Sequence, residues 1–317
     1  MNTIPTEKDI LAAHQRIEKW IIKTPVLQND FINKLIDATV FFKCENLQKI
    51  GAFKVRGAFN TVLQLSDKEK KNGVTTHSSG NHAQALALAA NQLNIKAYIV
   101  MPKGSPTTKK KGVIELGAEI IECENSLQAR EENLQKIVNK TGAAFIPPYN
   151  DYKVIAGQAT AAKEFIEQTP SLDFILTPVG GGGLLSGTAL SAKYFSAYTK
   201  VIGCEPENMN DAHRSILSGK IEVNLPDAFT IADGLRTTLG EKTFYIIKKN
   251  VNEIFTVQEN EIIAAMQLIW ERLKIIVEPS SAVPLAAVIK NKSMFSEKKV
   301  GIILSGGNVD LKNTPFF

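Results

Sequence analysis

From Val74 onward the chain repeats one pattern: a short apolar run, a turn of small residues, then a helical stretch. Residues 74–77 lead into Ser78-Ser-Gly-Asn-His82 and an Ala-rich helix over 83–94. Strands at 96–101 and 119–122 follow, with a helix between them that opens at Thr107 and closes at Gly117. A helix over 126–141 and a strand at 143–146, ended by Pro147-Pro148, complete this series. A second series has a helix over 155–168, a strand at 174–179 running into Gly180-Gly-Gly-Gly183, a helix over 184–195 and a strand at 201–204. Helices over 259–274 and 280–289 and a strand at 300–304, entering Ser305-Gly-Gly-Asn308, end it. Strands alternating with helices need crossover connections and give parallel βαβ units. The expected fold is α/β, with two open parallel sheets in three-layer domains and a cleft between them. Ligands of such sheets bind beyond the carboxyl ends of the strands, where the glycine-rich turns fall.

The chain before Val74 is less regular. Thr6 caps an expected helix reaching about residue 22, and Thr24-Pro25 ends it. A strand at 39–44 and a helix over 53–65 follow, the helix starting just after Gly51. With 317 residues, 44% of them hydrophobic, the chain can build two cores. A net charge of +5, spread along the chain, argues against a nucleic-acid partner. The longest basic run, Lys109-Lys110-Lys111, reads as a solvated helix start. Three scattered cysteines without CxxC spacing fit a reducing cytoplasm and exclude a thiolate zinc site. There is no signal-peptide pattern at the N-terminus and no apolar run of the roughly 18 residues that span a bilayer. A soluble, cytoplasmic protein without a membrane partner is expected.

Two features carry chemistry. Lys54 sits between Phe53 and Val55 at a loop-to-helix junction. An apolar setting lowers a lysine pKa toward the neutral, nucleophilic amine; the bland alternative is a snorkelling side chain with its tip in water. Gly180 to Gly183 are costly in backbone entropy. Lacking Cβ atoms, they let successive N–H groups wrap an anion at a helix N-terminus, or they merely allow a tight crossing. A dinucleotide site is the competing functional reading, with Glu205 as the ribose-binding acid. Its third glycine is missing, since the position is Leu185 or Ser186 in the two possible registers. A phosphate cup for a smaller ligand fits better. A reactive lysine with a phosphate cup points to pyridoxal 5'-phosphate, whose aldehyde bonds an amine and whose ring takes up electrons.

Gly51-Ala-Phe-Lys-Val-Arg-Gly-Ala58, Ser78-Ser-Gly-Asn-His82, Gly180-Gly-Gly-Gly-Leu184 and Leu304-Ser-Gly-Gly-Asn308 occur in a telling order. In that order and spacing the chain resembles the fold-type II, tryptophan synthase β-like, pyridoxal-phosphate enzymes. The likeness is to the threonine/serine dehydratases and serine racemase, and it covers nearly the whole chain. Val154-Ile-Ala-Gly-Gln158, Thr230-Ile-Ala-Asp-Gly234, Ile269-Trp-Glu-Arg272 and Glu278-Pro-Ser280 extend it. The resemblance implies a large cofactor-binding domain of residues 1–75 and 151–317, with a small substrate-binding domain, 76–150, inserted in it.

It also implies roles. Lys54 holds the cofactor and acts as base on one face, and Phe53 packs near the ring. Asn81 meets the phenolic oxygen, Gly180, Gly181, Gly182, Gly183 and the Leu184 amide hold the phosphate, and Ser305 meets the pyridine nitrogen. A hydroxyl cannot keep a proton on that nitrogen as a carboxylate would, which favours expelling a β-hydroxyl over transamination. Ser78, Ser79, Asn81 and His82 line the substrate carboxylate, although Ser78 and Asn81 could be plain helix caps. Ser79 matches the acid/base of serine racemase. Arg130 matches a position that could pair a second carboxylate, as in 3-hydroxyaspartate, and Thr237 stands where a serine is common. Glu205, Asp211 and the Met209 carbonyl match a cation loop for Mg2+, or Ca2+ or Mn2+. Ile50 replaces a threonine, so nucleotide activation is not expected. Without a C-terminal regulatory domain, isoleucine feedback is not expected either. His14 and His213 read as ordinary residues.

The implied activity is an ammonia-lyase acting on L-threonine and L-serine, in a homodimer. Serine racemase and 3-hydroxyaspartate dehydratase are alternatives on the same site. A nicotinamide-dependent dehydrogenase and a catalytically inert binding protein are alternatives from other classes.

Overall fold

The computed structural model describes residues 3–105, 107–311 and 314–316. The chain opens with α1 (Glu7–Ile17), β1 (Val26–Leu27), α2 (Asp30–Ile36), β2 (Thr39–Cys44), α3 (Lys54–Val62) and α4 (Asp67–Asn72). Next come β3 (Val74–His77), α5 (Asn81–Gln92), β4 (Ala97–Pro102), α6 (Thr107–Glu115), β5 (Glu119–Cys123), α7 (Leu127–Thr141) and β6 (Ala144–Phe145). Then follow α8 (Tyr152–Gln168), β7 (Phe174–Pro178), α9 (Gly183–Phe195), β8 (Lys200–Pro206), α10 (Asp211–Ser218) and α11 (Glu241–Asn250). The last elements are β9 (Glu253–Val257), α12 (Glu259–Leu273), α13 (Pro279–Lys290), α14 (Lys292–Phe295) and β10 (Lys299–Leu304).

They form two α/β domains. One sheet runs β1-β2-β10-β7-β8-β9, parallel except for the short edge strand β1. The other runs β5-β4-β3-β6 and is parallel throughout. Strand β3 starts at Val74 and so crosses the division expected at 75/76.

Strands β2, β7 and β10 are buried along nearly their whole length, as expected for parallel strands covered on both faces. Phe42, Phe174, Ile302 and Leu304 meet Met266, Ile269 and Leu285 of α12 and α13 on one face. Phe41, Ile175 and Ile303 meet Phe165 of α8 on the other. Because β2, β10, β7 and β8 run parallel, the turns after Cys44, Leu304, Pro178 and Pro206 share one rim. In the smaller sheet, the turn after β3 carries Ser78 and Ser79.

Two expected helices are shorter than read. The first ends at Ile17, where Trp20 leaves the helical path to stack on Phe59 with ring centroids 5.5 Å apart. The second runs from Lys54 to Val62: Ile50 and Gly51, with left-handed φ of 56° and 69°, keep the helix from starting earlier, and it stops three residues before the expected end. Strands β1 and β9 and helices α2, α4, α10, α11 and α14 were not expected.

Helix α3 stands on a buried charge cluster. The Arg56 guanidinium forks onto Glu45 at 2.7 Å through both Nε and NH2, and reaches Glu164 at 3.1 Å. Lys43 pairs with the same Glu164 and donates to the Thr24 carbonyl at 2.8 Å. All four charged side chains are essentially inaccessible. Two cations and two carboxylates balance there, which makes such burial tolerable.

Candidate active site

The site begins with how Lys54 is set in place. The segment before α3 is stitched to the loop after β10. Phe53 N donates to Ser305 O at 3.0 Å, Gly307 N to Gly51 O at 2.9 Å, and Asn308 Nδ2 to Ile50 O at 2.7 Å. Position 51 needs glycine twice over: its φ is left-handed, and a Cβ would stand 2.8 Å from Asn308 Oδ1. Lys54 therefore starts α3 on the rim of the larger sheet. Its Nζ donates to the Pro148 carbonyl at 2.8 Å and lies 5.1 Å from the centre of the Phe53 ring. Burial pulls the amine down to about 8, against the opposing charge of Glu278. Part of the side chain still meets the cleft.

The glycine row follows β7 on the same rim. Each glycine has a packing reason to be there. A Cβ on Gly180 would meet Gly234 O at 2.8 Å and Thr237 Oγ1 at 3.2 Å. On Gly181 it would strike the Tyr149 ring at 2.3 Å, and on Gly183 the Tyr149 Cβ at 3.0 Å. Gly182 has φ of 84° and faces Leu239, Thr243 and Ile247. Both readings of the row therefore stand together, because packing holds it and its amides are left over. None of the N–H groups of Gly180 to Leu184 has a protein acceptor among the described residues. They sit at the start of α9, a 13-residue helix, where the helix dipole favours an anion. These unpartnered amides suit a phosphate. The turn also lies beside Lys54, since Pro148 binds the lysine and Tyr149 covers the row.

The remaining expected residues gather around this core to different degrees. Ser305 is buried, its Oγ 3.1 Å from Ser281 Oγ, which also donates to Gly306 O at 2.6 Å. Asn81 opens α5; its Nδ2 donates to Glu278 at 3.0 and 3.1 Å, and its Oδ1 accepts from Asn308 at 2.9 Å. Ser79 lies in the turn before α5, and Ser78 Oγ accepts from Gly80 N at 3.3 Å. The His82 imidazole turns inward to the Ile146 carbonyl at 2.9 Å, and burial lowers its pKa to about 3. It offers the cleft no charged donor. Arg130 is partly buried on α7, near enough to His77 to help lower that imidazole's pKa. His77 immediately precedes Ser78.

Glu278, Ser281, Pro148 and Tyr149 carried no expected role. The only sequence signal for Glu278 is its place in Glu278-Pro-Ser280. Its closeness to Asn81 spans 197 positions of chain.

The loop expected to hold a cation follows β8. Both Glu205 oxygens accept amides at the start of α10, from Ala212 at 3.2 Å and His213 at 2.8 Å. That orientation removes Glu205 from the role of a ribose-binding acid. Asp211 accepts from Asn224 at 2.8 Å and Leu239 N at 3.1 Å. Burial and their mutual repulsion push Glu205 well up, and burial pushes Asp211 to about 6. Two buried carboxylates that repel each other suit a cation. No cluster of three or more His, Cys, Asp or Glu side chains able to hold a metal lies among the described residues. A cation here would therefore lean on carbonyls and water.

Comparison with known proteins decides the family. Residues 17–306 match the family described as pyridoxal-phosphate dependent enzyme. The chain belongs to the pyridoxal-phosphate dependent enzymes. Within this family it is 49% identical to the β-hydroxyaspartate dehydratase of Paracoccus denitrificans, over 99% of both chains. The crystal structure of serine racemase from Dictyostelium discoideum superposes with a TM-score of 0.93 at 50% identity, over 96% of this chain and 99% of that one. The crystal structure of a threonine deaminase from T.th. superposes with a TM-score of 0.93 at 40% identity, covering 97% and 99%. The fold expected from the sequence is thus the fold of pyridoxal-phosphate dependent enzymes with lyase and racemase members.

Proposed function

We propose that the protein is a pyridoxal-phosphate-dependent ammonia-lyase that converts L-threonine and L-serine to a 2-oxo acid and ammonia. The observation that carries this reading is Lys54, a buried amine with a pKa near 8 beside a row of unpartnered amides. Lys54 would hold the cofactor, Gly180 to Gly183 and the Leu184 amide its phosphate, Phe53 one side of its ring, and Ser305 its ring nitrogen. Pyridoxal phosphate, when bound, supplies an aldehyde that captures the substrate amine and a ring that spreads the electrons left on Cα. Lys54, released as the substrate amine takes its place, would take the proton from Cα onto Nζ. The β-hydroxyl would leave as water, the proton taken from Cα balancing its charge; Lys54 would return to its place as the unsaturated amine is released, and that amine hydrolyses to the 2-oxo acid and ammonia. The Ser305 hydroxyl, itself bonded to Ser281, is a poor proton reservoir, which favours this elimination. Ser78, Ser79 and the start of α5 would take the substrate carboxylate.

A second substrate reading has support of its own. Arg130 is near enough to His77, the residue before Ser78, to act on its charge, and a relative at 49% identity is a β-hydroxyaspartate dehydratase. Arg130 could pair the extra carboxylate of 3-hydroxyaspartate. Ser79 keeps racemisation of serine available. We further propose a large domain from the flanking segments and a small one from the inserted segment up to residue 150, with the first division drawn before β3 at Val74 in place of 75/76, in a cytoplasmic homodimer. Among the described residues no helix is long and apolar enough to cross a membrane.

The test is a substrate panel of L-serine, D-serine, L-threonine and both 3-hydroxyaspartates, scored for 2-oxo acid and by chiral chromatography. Ammonia-lyase activity predicts 2-oxo acid from L-threonine and L-serine. Cofactor colour without 2-oxo acid from any of them would sink the proposal, and D-serine formed from L-serine would show racemisation. For the cation, Glu205, Asp211 and the Met209 carbonyl are the proposed ligands. Chelation is expected to lower the unfolding temperature and Mg2+ to restore it, with roughly 3 kcal/mol at a hundredfold excess over Kd. Identical melts with and without chelator would remove the cation from the proposal.

A further inference from the structure

Glu278 is held rigidly where the chemistry of Asn81 is decided. Its backbone N–H donates to Gly306 O at 3.0 Å, its carbonyl accepts from Ser281 N at 2.9 Å, and Pro279 starts α13 behind it. The residue is 4% exposed, and it fits because position 306 is glycine; a Cβ there would stand 2.8 Å from Oε1. Both carboxylate oxygens lie within hydrogen-bond reach of Asn81 Nδ2, at 3.0 and 3.1 Å, and the Asn308 backbone N–H also supports the carboxylate. Across the amide, Asn81 Oδ1 accepts from Asn308 Nδ2 at 2.9 Å. A carboxylate only accepts, while a side-chain amide has a donor end and an acceptor end. Reversing the Asn81 amide would set its oxygen against two carboxylate oxygens and its NH2 against the NH2 of Asn308. One orientation survives, and because the two oxygens of one carboxylate lie on the same side of the nitrogen, it leaves one N–H of Asn81 without a partner among the described residues.

We propose that Glu278 is a positioning residue for the cofactor. As a carboxylate it locks the Asn81 amide with its spare N–H available to the phenolic oxygen of pyridoxal phosphate, and as the neutral acid it loosens that lock. This rests on the reading of Asn81 as the partner of that oxygen, and so on the proposed function. The neutral acid carries a donor of its own and no longer demands the NH2 end of Asn81, so the orientation then rests on Asn308 alone. A donated hydrogen bond favours the ionised phenolic oxygen, so the state of Glu278 is transmitted to the ring without touching it. Burial lifts the Glu278 carboxyl to about 7, with Asp233 adding to the rise and Asn81 and Lys109 opposing it. The charged groups that act on it are Asp233 from the turn at 233–235, Lys109 from α6 and Lys54 from α3.

The experiment compares absorption spectra of substrate-free holoenzymes from mildly acidic to mildly alkaline pH, for wild type, E278Q, N81A and the double variant. The readout is the ratio of the long-wavelength band, from the ionised phenolic oxygen, to the short-wavelength band. In wild type the ratio is expected to rise through about 7. In E278Q it is expected to be flat across that range and roughly two- to tenfold lower at alkaline pH, the span of one hydrogen bond's net preference. In the N81A background E278Q is expected to add nothing. An E278Q spectrum with the wild-type ratio and pH dependence overturns the inference, as does an additive effect in N81A. If thermal melting finds E278Q misfolded, E278D takes its place. It keeps the charge at shorter reach, so a lowered ratio that still titrates supports the lock, and an unchanged ratio overturns it. A wild type that never takes up the cofactor contradicts the proposed function itself, which separates the two failures.

Discussion

Lys54 is cationic below about 8 and neutral above it, because burial outweighs the pull of Glu278. Only the neutral amine can bond an aldehyde. The rate at which cofactor-free protein takes up pyridoxal phosphate is therefore expected to climb as pH rises through about 8, followed by absorbance; a flat profile would contradict it. The same shift has a stability consequence of definite sign. Between about 8 and the ordinary 10.5 the unfolded chain holds one proton more than the folded one, so the stability of cofactor-free protein rises with pH across that window and is flat below it. A second residue-level prediction concerns Arg56. Replacing it with Met leaves Glu45 and Glu164 facing Lys43 alone, and should cost about 3–5 kcal/mol in denaturant unfolding. A loss below about 1 kcal/mol would mean that water reaches the cluster. Lys54 was legible from sequence because its apolar neighbours and the helix start are local. Glu278 and Ser281 were not, since nothing near them in the chain says that Asn81, Ser305 and Gly306 will close around them.

Helix α3 crosses α8, and α8 crosses α9, at three glycines. A Cβ on Gly157 would stand 2.5 Å from Arg56 O and 2.6 Å from Gly57 Cα, and one on Gly187 would stand 2.6 Å from Ala159 N. These obstacles are backbone atoms, so no side chain can swing aside. Gly157→Ala should push α3 away, costing about 1–3 kcal/mol in unfolding and weakening cofactor affinity as Lys54 moves. Gly104→Ala, whose Cβ direction is open, serves as the control. Equal stability of the two variants would refute the close crossing. Most elements were legible because a turn signal brackets each periodic run: Thr39–Cys44 and Val74–His77 fall where they were expected. Strand β9 escaped notice because it pairs on one side only, with β8, and its sequence Glu-Ile-Phe-Thr-Val borders a long helix without a turn signal. Helix α2 spans seven residues, too short to display a period.

Across the whole molecule, the strand–helix alternation predicted two parallel sheets. It could not give their order, because the placing of β10 between β2 and β7 depends on contacts made by the last strand of the chain. It also missed the bridge across the cleft, where Lys109 of the α6 helix pairs with Asp233 of the turn beside the glycine row. Both side chains are partly exposed, so the pair is worth only a few tenths to about 1 kcal/mol. Lys109→Met should therefore barely change the melting temperature. It should raise KM roughly two- to fivefold with kcat nearly unchanged, by favouring an open cleft. An unaltered KM would separate the bridge from substrate capture. The glycine row has a consequence for the order of events at this cleft. Tyr149, Gly234 and the side chains of α11 hold its amides in place, so the row is ready before any ligand arrives. On the proposed reading, capture of the cofactor would have two stages: a fast, reversible, salt-sensitive encounter of its phosphate with the row, and a slower covalent tethering at Lys54 once the amine has lost its proton.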